Sequence, residues 1–158
     1  IFDKVNLKSL NLIDPSLGVE AEINRISKLI QESPIDIVIL GIGENGHIAF
    51  NDPPYADFED PEILKKVELD LVCRQQQVND QCFAVLTDVP KYALTLTIPT
   101  IMSASELFCI VSGSHKAQAV KQTLYGEISN QWPSTILRKH ACCRFYLDSK
   151  SLDFEPEQ

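Results

Sequence analysis

The sequence predicts an α/β fold built on an open, mostly parallel sheet flanked by helices. Three observations carry that expectation. Short β-branched runs such as Ile35 to Leu40 (I-D-I-V-I-L) have the composition of strands buried on both faces of a parallel sheet. Segments of helical periodicity alternate with such runs along the chain. The 158 residues, 44% of them hydrophobic, also suffice for the core of one domain.

The first element is an amphipathic helix. Val19, Ile23, Ile26, Leu29 and Ile30 recur at helical spacing with polar residues between them, and Ser33-Pro34 ends the run. The strand Ile35 to Leu40 follows and leads directly into Gly41, Gly43 and Gly46. Asn51-Asp52-Pro53-Pro54 excludes a long helix there, since two prolines remove donors and fix the backbone. Lys66 to Leu71 (K-V-E-L-D-L) alternates as a strand does, and the polar stretch Arg74 to Asp80 reads as a helical turn or a loop. Tyr92 to Ile98 alternates Thr with aliphatic residues, a strand that Pro99 ends. Glu106 to Ser112 is another buried strand. Gly113-Ser114 then leads into a helix from His115 to Leu124, with Gly126 as its stop. Pro133 opens a short helix over Ser134 to His140, Arg144 to Leu147 is the last strand, and the polar tail Asp148 to Gln158 is expected to fray.

Composition narrows the function classes. Fourteen basic against 22 acidic side chains give a formal charge of −8, which argues against a nucleic-acid partner and is compatible with a soluble homo-oligomer. No apolar run reaches the roughly 18 residues of a membrane span, so no membrane partner is expected. Cys73, Cys82, Cys109, Cys142 and Cys143 are odd in number and lack CxxC spacing, which fits a reducing cytoplasm better than a disulfide framework. Cys82 and Cys109 lie in apolar stretches and are expected to be buried. Cys142-Cys143 has no Cys or His cluster beside it, so ordinary strand packing and no bound metal or other cofactor are expected.

The chemistry is concentrated after the first strand, in Leu40 to Pro53. Gly41, Gly43 and Gly46 spell G-x-G-x-x-G, a dinucleotide fingerprint for which Glu68 or Asp70 could serve as the ribose acid. That fingerprint needs a helix beginning within the glycines to receive a pyrophosphate, and Phe50-Asn51-Asp52-Pro53-Pro54 is loop chemistry instead. A loop at the carboxyl end of a central strand, where open α/β sheets bind ligands, fits better. Its glycines let the backbone approach a small polar ligand, and Asn45, His47 and Asp52 lie within eight positions. A His near neutral pKa moves protons in either direction, and a neighbouring carboxylate would fix its tautomer. The alternative is a His satisfied by a loop carbonyl, with Asp52 as a turn residue before Pro53.

The stretch G-I-G-E-N-G-H-I-A-F-N-D-P closely resembles the signature of the glucosamine-6-phosphate deaminases, also called isomerases, of the 6-phosphogluconolactonase-like superfamily. The likeness continues through Asp88 to Thr95 (D-V-P-K-Y-A-L-T) and Val111 to Ala117 (V-S-G-S-H-K-A), so it covers nearly the whole chain. It implies a three-layer Rossmann-like sheet and a sugar phosphate as ligand. The implied reaction turns a 2-amino-2-deoxyhexose 6-phosphate into a ketose 6-phosphate and ammonia. His47 would shuttle a proton between ring oxygen and anomeric hydroxyl, and Asn45 would hydrogen-bond the substrate or the imidazole. Asp52, standing where the family has Glu, would orient and charge-balance that imidazole. Gly41, Gly43 and Gly46 would line the substrate, and Lys116 would hold its phosphate.

Two departures from the family matter. The family's Arg shortly before V-P-K-Y falls on Gln81, which carries no charge; Arg74 is several positions off. An earlier strand with a Gly/Thr-rich phosphate loop, and an Asp-Glu-Tyr segment whose Asp takes the C2 proton, do not occur in the sequence. Residues 1–158 therefore read as one isomerase-like domain truncated at the N-terminus, lacking its first βαβ part and inactive by itself. Two other functions compete: a non-catalytic sugar-phosphate sensor, and a 6-phosphogluconolactonase-like hydrolase. F-N-D-P after the His and the V-P-K-Y-A-L-T block fit the deaminases better than the hydrolases.

Overall fold

The computed structural model describes residues 4, 6–53 and 55–154. Helix α1 (Val19–Glu32) forms where the apolar spacing predicts it and packs against the strand β2 (Leu64–Glu68). Its fully buried Glu22 accepts a bidentate pair from Arg25 (2.7 and 2.8 Å) and the Asp14 amide (2.7 Å), while Arg25 Nη2 also donates to the Leu12 carbonyl. A buried carboxylate needs such partners, and this set ties residues 12–16 to α1.

The main sheet is three-stranded and wholly parallel. Strand β1 (Ile37–Leu40) pairs with β4 (Glu106–Val111), which pairs with β5 (Cys143–Leu147), in the order β1-β4-β5. Leu107, Cys109 and Val111 point to one side and enter the core. That side is covered by α3 (Ile98–Met102), α4 (Ala117–Tyr125) and a 3₁₀ segment over Pro133–Lys139, through Ile98, Ile101, Ala119, Val120, Ile136 and Leu137. The other side differs from the expectation of burial on both faces. Ile37, Ile39, Ile110 and Tyr146 are exposed, because no described element lies over them.

The two alternating runs form a separate antiparallel pair, β2 with β3 (Tyr92–Leu96). The strand expected at Lys66 to Leu71 lies two residues earlier. It stops because the Asp70 carboxylate caps a new helix, α2 (Leu71–Asn79), by accepting the Cys73 amide at 2.7 Å. The stretch Arg74 to Asp80, expected as a helical turn or a loop, is therefore mostly helix. Likewise β3 ends at Leu96 rather than Ile98. Thr97 caps α3, whose first turn accommodates Pro99.

Three further expectations are corrected. The helix expected from His115 begins with a 3₁₀ turn at Ser114–Lys116 before α4 proper. Cys82 is exposed, since it follows the C-terminal cap of α2, whereas Cys109 is buried. The tail does not fray through residue 154. Asp148 accepts the Gly113 amide (3.1 and 3.2 Å) and the Ser151 amide (2.7 Å), Ser151 is fully buried, and Phe154 meets the Tyr125 ring edge-on. Residues 155–158 lie outside the described ones. Among the described residues no helix is long and apolar enough to cross a membrane, and no group of His, Cys, Asp and Glu could hold a metal ion.

Candidate active site

A cleft of about 510 Å³ opens at the carboxyl ends of β1 and β4. This is where the strand–loop junctions of an open parallel sheet present free backbone and polar side chains. Gly41, Gly43 and His47 line it from the loop after β1; Ser112, His115 and Lys116 line it from the loop after β4. The polar face of α2 adds Gln76, Gln77 and Asp80.

The glycine loop is a chain of turns, not a helix start. The Gly43 amide donates to the His47 carbonyl at 2.9 Å and the Gly46 amide to the Gly43 carbonyl at 3.0 Å. This rejects the dinucleotide fold of G-x-G-x-x-G, and Asp70 is occupied as the cap of α2. The loop is anchored by Asn51, a residue not singled out from the sequence. Its buried amide donates to the Ile48 and Leu96 carbonyls, both at 2.9 Å, which fastens the turn to β3. Ala49, between them, has φ +51, a left-handed backbone that non-glycine residues seldom adopt.

Asn45, His47 and Asp52 come together as one hydrogen-bonded set. His47 Nδ1 lies 2.8 Å from Asn45 Oδ1 and 3.0 Å from Asp52 Oδ1, while Asn45 Nδ2 donates to Asp52 Oδ1 at 2.8 Å. Both neighbours of Nδ1 are acceptors, so Nδ1 carries a proton, and in the neutral form of the ring Nε2 holds the lone pair. His47 is 7% exposed and Asp52 6%, so the pair is shielded from water while the imidazole still lines the cleft. This favours the acid–base reading over a His satisfied by a loop carbonyl. Burial pushes the Asp52 carboxyl up, but hydrogen bonds from His47, Asn45 and Cys73, with the charge of His47, outweigh it and hold the pKa below the ordinary value. Cys73, on α2, is the fourth member of this cluster. Burial, then the nearby Asp52 charge, pushes its thiol up to about 12, so it stays protonated beside that carboxylate.

The glycines divide by role. Gly41 and Gly43 line the cleft, and a Cβ on Gly43 would stand 2.2 Å from the His47 ring. Gly46 (φ +80) faces the other way: a Cβ there would meet Trp132 at 2.8 Å, and its carbonyl accepts the Ser134 amide. Lys116 is buried along its stem and lines the cleft, with no ion pair or hydrogen bond to its ammonium among the described residues. The amide of Gly113 that could have joined it at an anion is already held by Asp148. Gln81 does not line the cleft, and Arg74 turns away from it to donate to the Leu86 and Val89 carbonyls at 2.9 and 2.8 Å. Sequence reasoning missed Gln76, Gln77, Asp80 and His115. The signal for the first three was Asp70 as a helix cap, which puts positions 76, 77 and 80 on one face.

What such a site can do is bind a small anion at Lys116 and move a proton at His47 Nε2 beside it. The family model described as glucosamine-6-phosphate isomerases/6-phosphogluconolactonase matches residues 4–145. Glucosamine-6-phosphate deaminase of Bacillus cereus (strain B4264) is 37% identical over 134 residues, which are 85% of this chain and 49% of that protein. The Streptococcus pyogenes serotype M1 deaminase is 37% identical over 122 residues, 77% of this chain and 50% of its own length. The chain thus spans about half the length of the curated relatives it matches. A solved monomeric glucosamine-6-phosphate deaminase superposes with a TM-score of 0.77 at 36% identity, covering 84% of this chain and 54% of that one. A 6-phosphogluconolactonase from Leishmania guyanensis shares the fold, with a TM-score of 0.62 at 19% identity, 85% of this chain and 52% of its own.

Proposed function

The chain belongs to the family of glucosamine-6-phosphate isomerases and 6-phosphogluconolactonases, and from that premise we propose that its cleft binds an amino-sugar 6-phosphate and opens the sugar ring. The observation that carries the reading is the hydrogen-bonded Asn45–His47–Asp52 set, whose imidazole lines one cleft with the ammonium of Lys116, unpaired among the described residues. Lys116 takes the phosphate, against an overall negative charge that would otherwise repel it. His47 Nε2 removes the proton of the anomeric hydroxyl and returns it to the ring oxygen as the C1–O5 bond breaks. Asp52 and Asn45 hold the Nδ1 proton through that exchange and stabilise the imidazolium between the two transfers. The product of the whole protein is a ketose 6-phosphate with release of ammonia. By resemblance, the base that takes the C2 proton is the Asp of an Asp-Glu-Tyr segment, a sequence not found among the 158 residues. Ring opening and phosphate holding are the steps for which the residues of this cleft supply groups. Five free cysteines, none paired among the described residues, support a reducing cytoplasmic setting.

Titration of the 158-residue chain with glucosamine 6-phosphate by calorimetry tests the reading. Saturable binding is expected, and Lys116→Met should weaken it about tenfold or more, the loss of one charge-assisted contact. Equal affinity in the variant would remove Lys116 from the site. Ammonia release by this chain alone would show that the missing base is supplied from within it.

A further inference from the structure

Given the sugar-phosphate ligand proposed above, on which this rests, we propose that Asp80 binds the ammonium of the substrate's amino group and makes the cleft selective for an amino sugar phosphate over its hydroxy counterpart. Side chains of opposite charge line the cleft from different elements. Lys116 and His115 follow β4, while Asp80 ends α2. Among the described residues neither the Lys116 ammonium nor the Asp80 carboxylate forms an ion pair, with each other or with a third group. Asp80 Oδ2 accepts one long hydrogen bond from Gln76 Nε2 (3.5 Å), and Oδ1 accepts none among the described residues. Two facts set this group apart from a solvated surface carboxylate. It stands at the C-terminal end of a helix, where the dipole disfavours negative charge, so it does not serve the stability of α2. It also stands in a cleft that holds an anion in a chain of formal charge −8. A carboxylate there weakens a purely anionic ligand and favours one that carries a cation as well.

The placement of the charges matches the order of groups along an amino-sugar 6-phosphate. Helix α2 is fastened to the loop that bears His47: the Glu44 amide donates to Gln76 Oε1 at 3.4 Å, and Cys73 lies beside Asp52. Asp80 thus belongs with the imidazole, and Lys116 with the strand next to β1. In the sugar, the amine on C2 adjoins the anomeric carbon on which His47 acts, and the phosphate on C6 is remote from both. A ligand with its phosphate on Lys116 and its anomeric end at His47 Nε2 would present C2 to α2. There the ammonium donates to Asp80 Oδ1, while Gln76 holds the other carboxylate oxygen. A sugar with a hydroxyl on C2 gains no charge pairing, and its phosphate still feels the carboxylate.

Glucosamine 6-phosphate and glucose 6-phosphate differ only at C2, and calorimetry measures the affinity of each for the 158-residue chain, Asp80→Asn and Lys116→Met. The parent chain is expected to prefer the amino sugar about fivefold or more, the strength of one partly solvated ion pair. Asp80→Asn, a substitution of equal shape at an exposed position, should bring that ratio close to one by weakening glucosamine 6-phosphate alone. Lys116→Met should weaken both sugars alike. A parent ratio near one, equal losses for both sugars in Asp80→Asn, or the same change of ratio from Lys116→Met would each overturn the proposal and leave phosphate binding standing. Failure of the parent chain to bind either sugar would overturn it together with the sugar-phosphate reading.

Discussion

Replacing Gln81 by Gly should stabilise the protein, and the size of the gain can be worked from the backbone. Gln81 follows α2 and has φ +61, in the left-handed region. It closes the helix: its amide donates to the Val78 carbonyl at 2.9 Å, and the next amide, of Cys82, donates to the Gln77 carbonyl at 2.9 Å. This is the paired arrangement in which helices usually place Gly. A side chain in that conformation costs roughly 1 to 2 kcal/mol from the clash of Cβ with the following carbonyl. Gly removes the clash but loses about 0.5 to 1 kcal/mol more backbone entropy on folding. The net gain is about 0.5 to 1 kcal/mol, or about 1 to 4 °C in Tm for a chain of this size. Gln81 is exposed and its side chain makes no hydrogen bond among the described residues, so little else changes. Thermal and urea denaturation of the parent chain, Gln81→Gly and Gln81→Ala would measure it. The Ala variant keeps Cβ and should gain nothing. Equal Tm for Gly and Ala, or a lower Tm for Gly, would refute the strain.

Two further outcomes are expected. Gly43→Ala should leave the fold intact but push the His47 imidazole out of its set, because the new Cβ would stand 2.2 Å from the ring; glucosamine 6-phosphate affinity should fall about tenfold or more while Tm moves little, and an unchanged affinity would separate the ring's position from binding. Acid should destabilise the chain through Glu22, whose hydrogen bonds from Arg25 and then from the Asp14 amide bring its pKa from 4.5 to about 2. The folded value lies below the unfolded one, so this stabilisation is fully present above pH 4.5 and is lost as pH falls through about 2. Urea midpoints across that window should fall more steeply for the parent chain than for Glu22→Gln, and parallel curves would refute the assignment.

The elements that were legible in the sequence are those whose side-chain pattern has one reading. The period of Val19 to Ile30 permits only an amphipathic helix, and the prolines after Asn51 permit only a loop. The alternating runs were recognised as strands, but alternation says nothing about partners, so their pairing outside the main sheet was not legible. The misplaced start of β2 and the unassigned α2 share one cause. Leu69 and Leu71 continue a period-two pattern, while Asp70 between them acts as a helix cap, and a local hydrogen bond to the Cys73 amide overrides the pattern. That single misreading hid Cys73, Gln76, Gln77 and Asp80 from the site.

By itself the sequence pointed to four of the groups at the site, Asn45, His47, Asp52 and Lys116. Asn45, His47 and Asp52 are close in the chain on a glycine-rich loop, which allows them to meet but leaves a His satisfied by a loop carbonyl equally open. It also fixed Lys116 as a cation after a strand. Only the tertiary structure decided that the loop bearing His47 and the segment bearing Lys116, 69 positions further along the chain, share one cleft. The parallel register of β1 with β4 puts both strand ends on the same side, and that register is set by burial of Leu107, Cys109 and Val111. The bare face of the sheet is likewise a tertiary fact. Ile37 and Ile39 look like core residues in the sequence, and become a surface because burial depends on what lies above a residue as well as on its own apolarity.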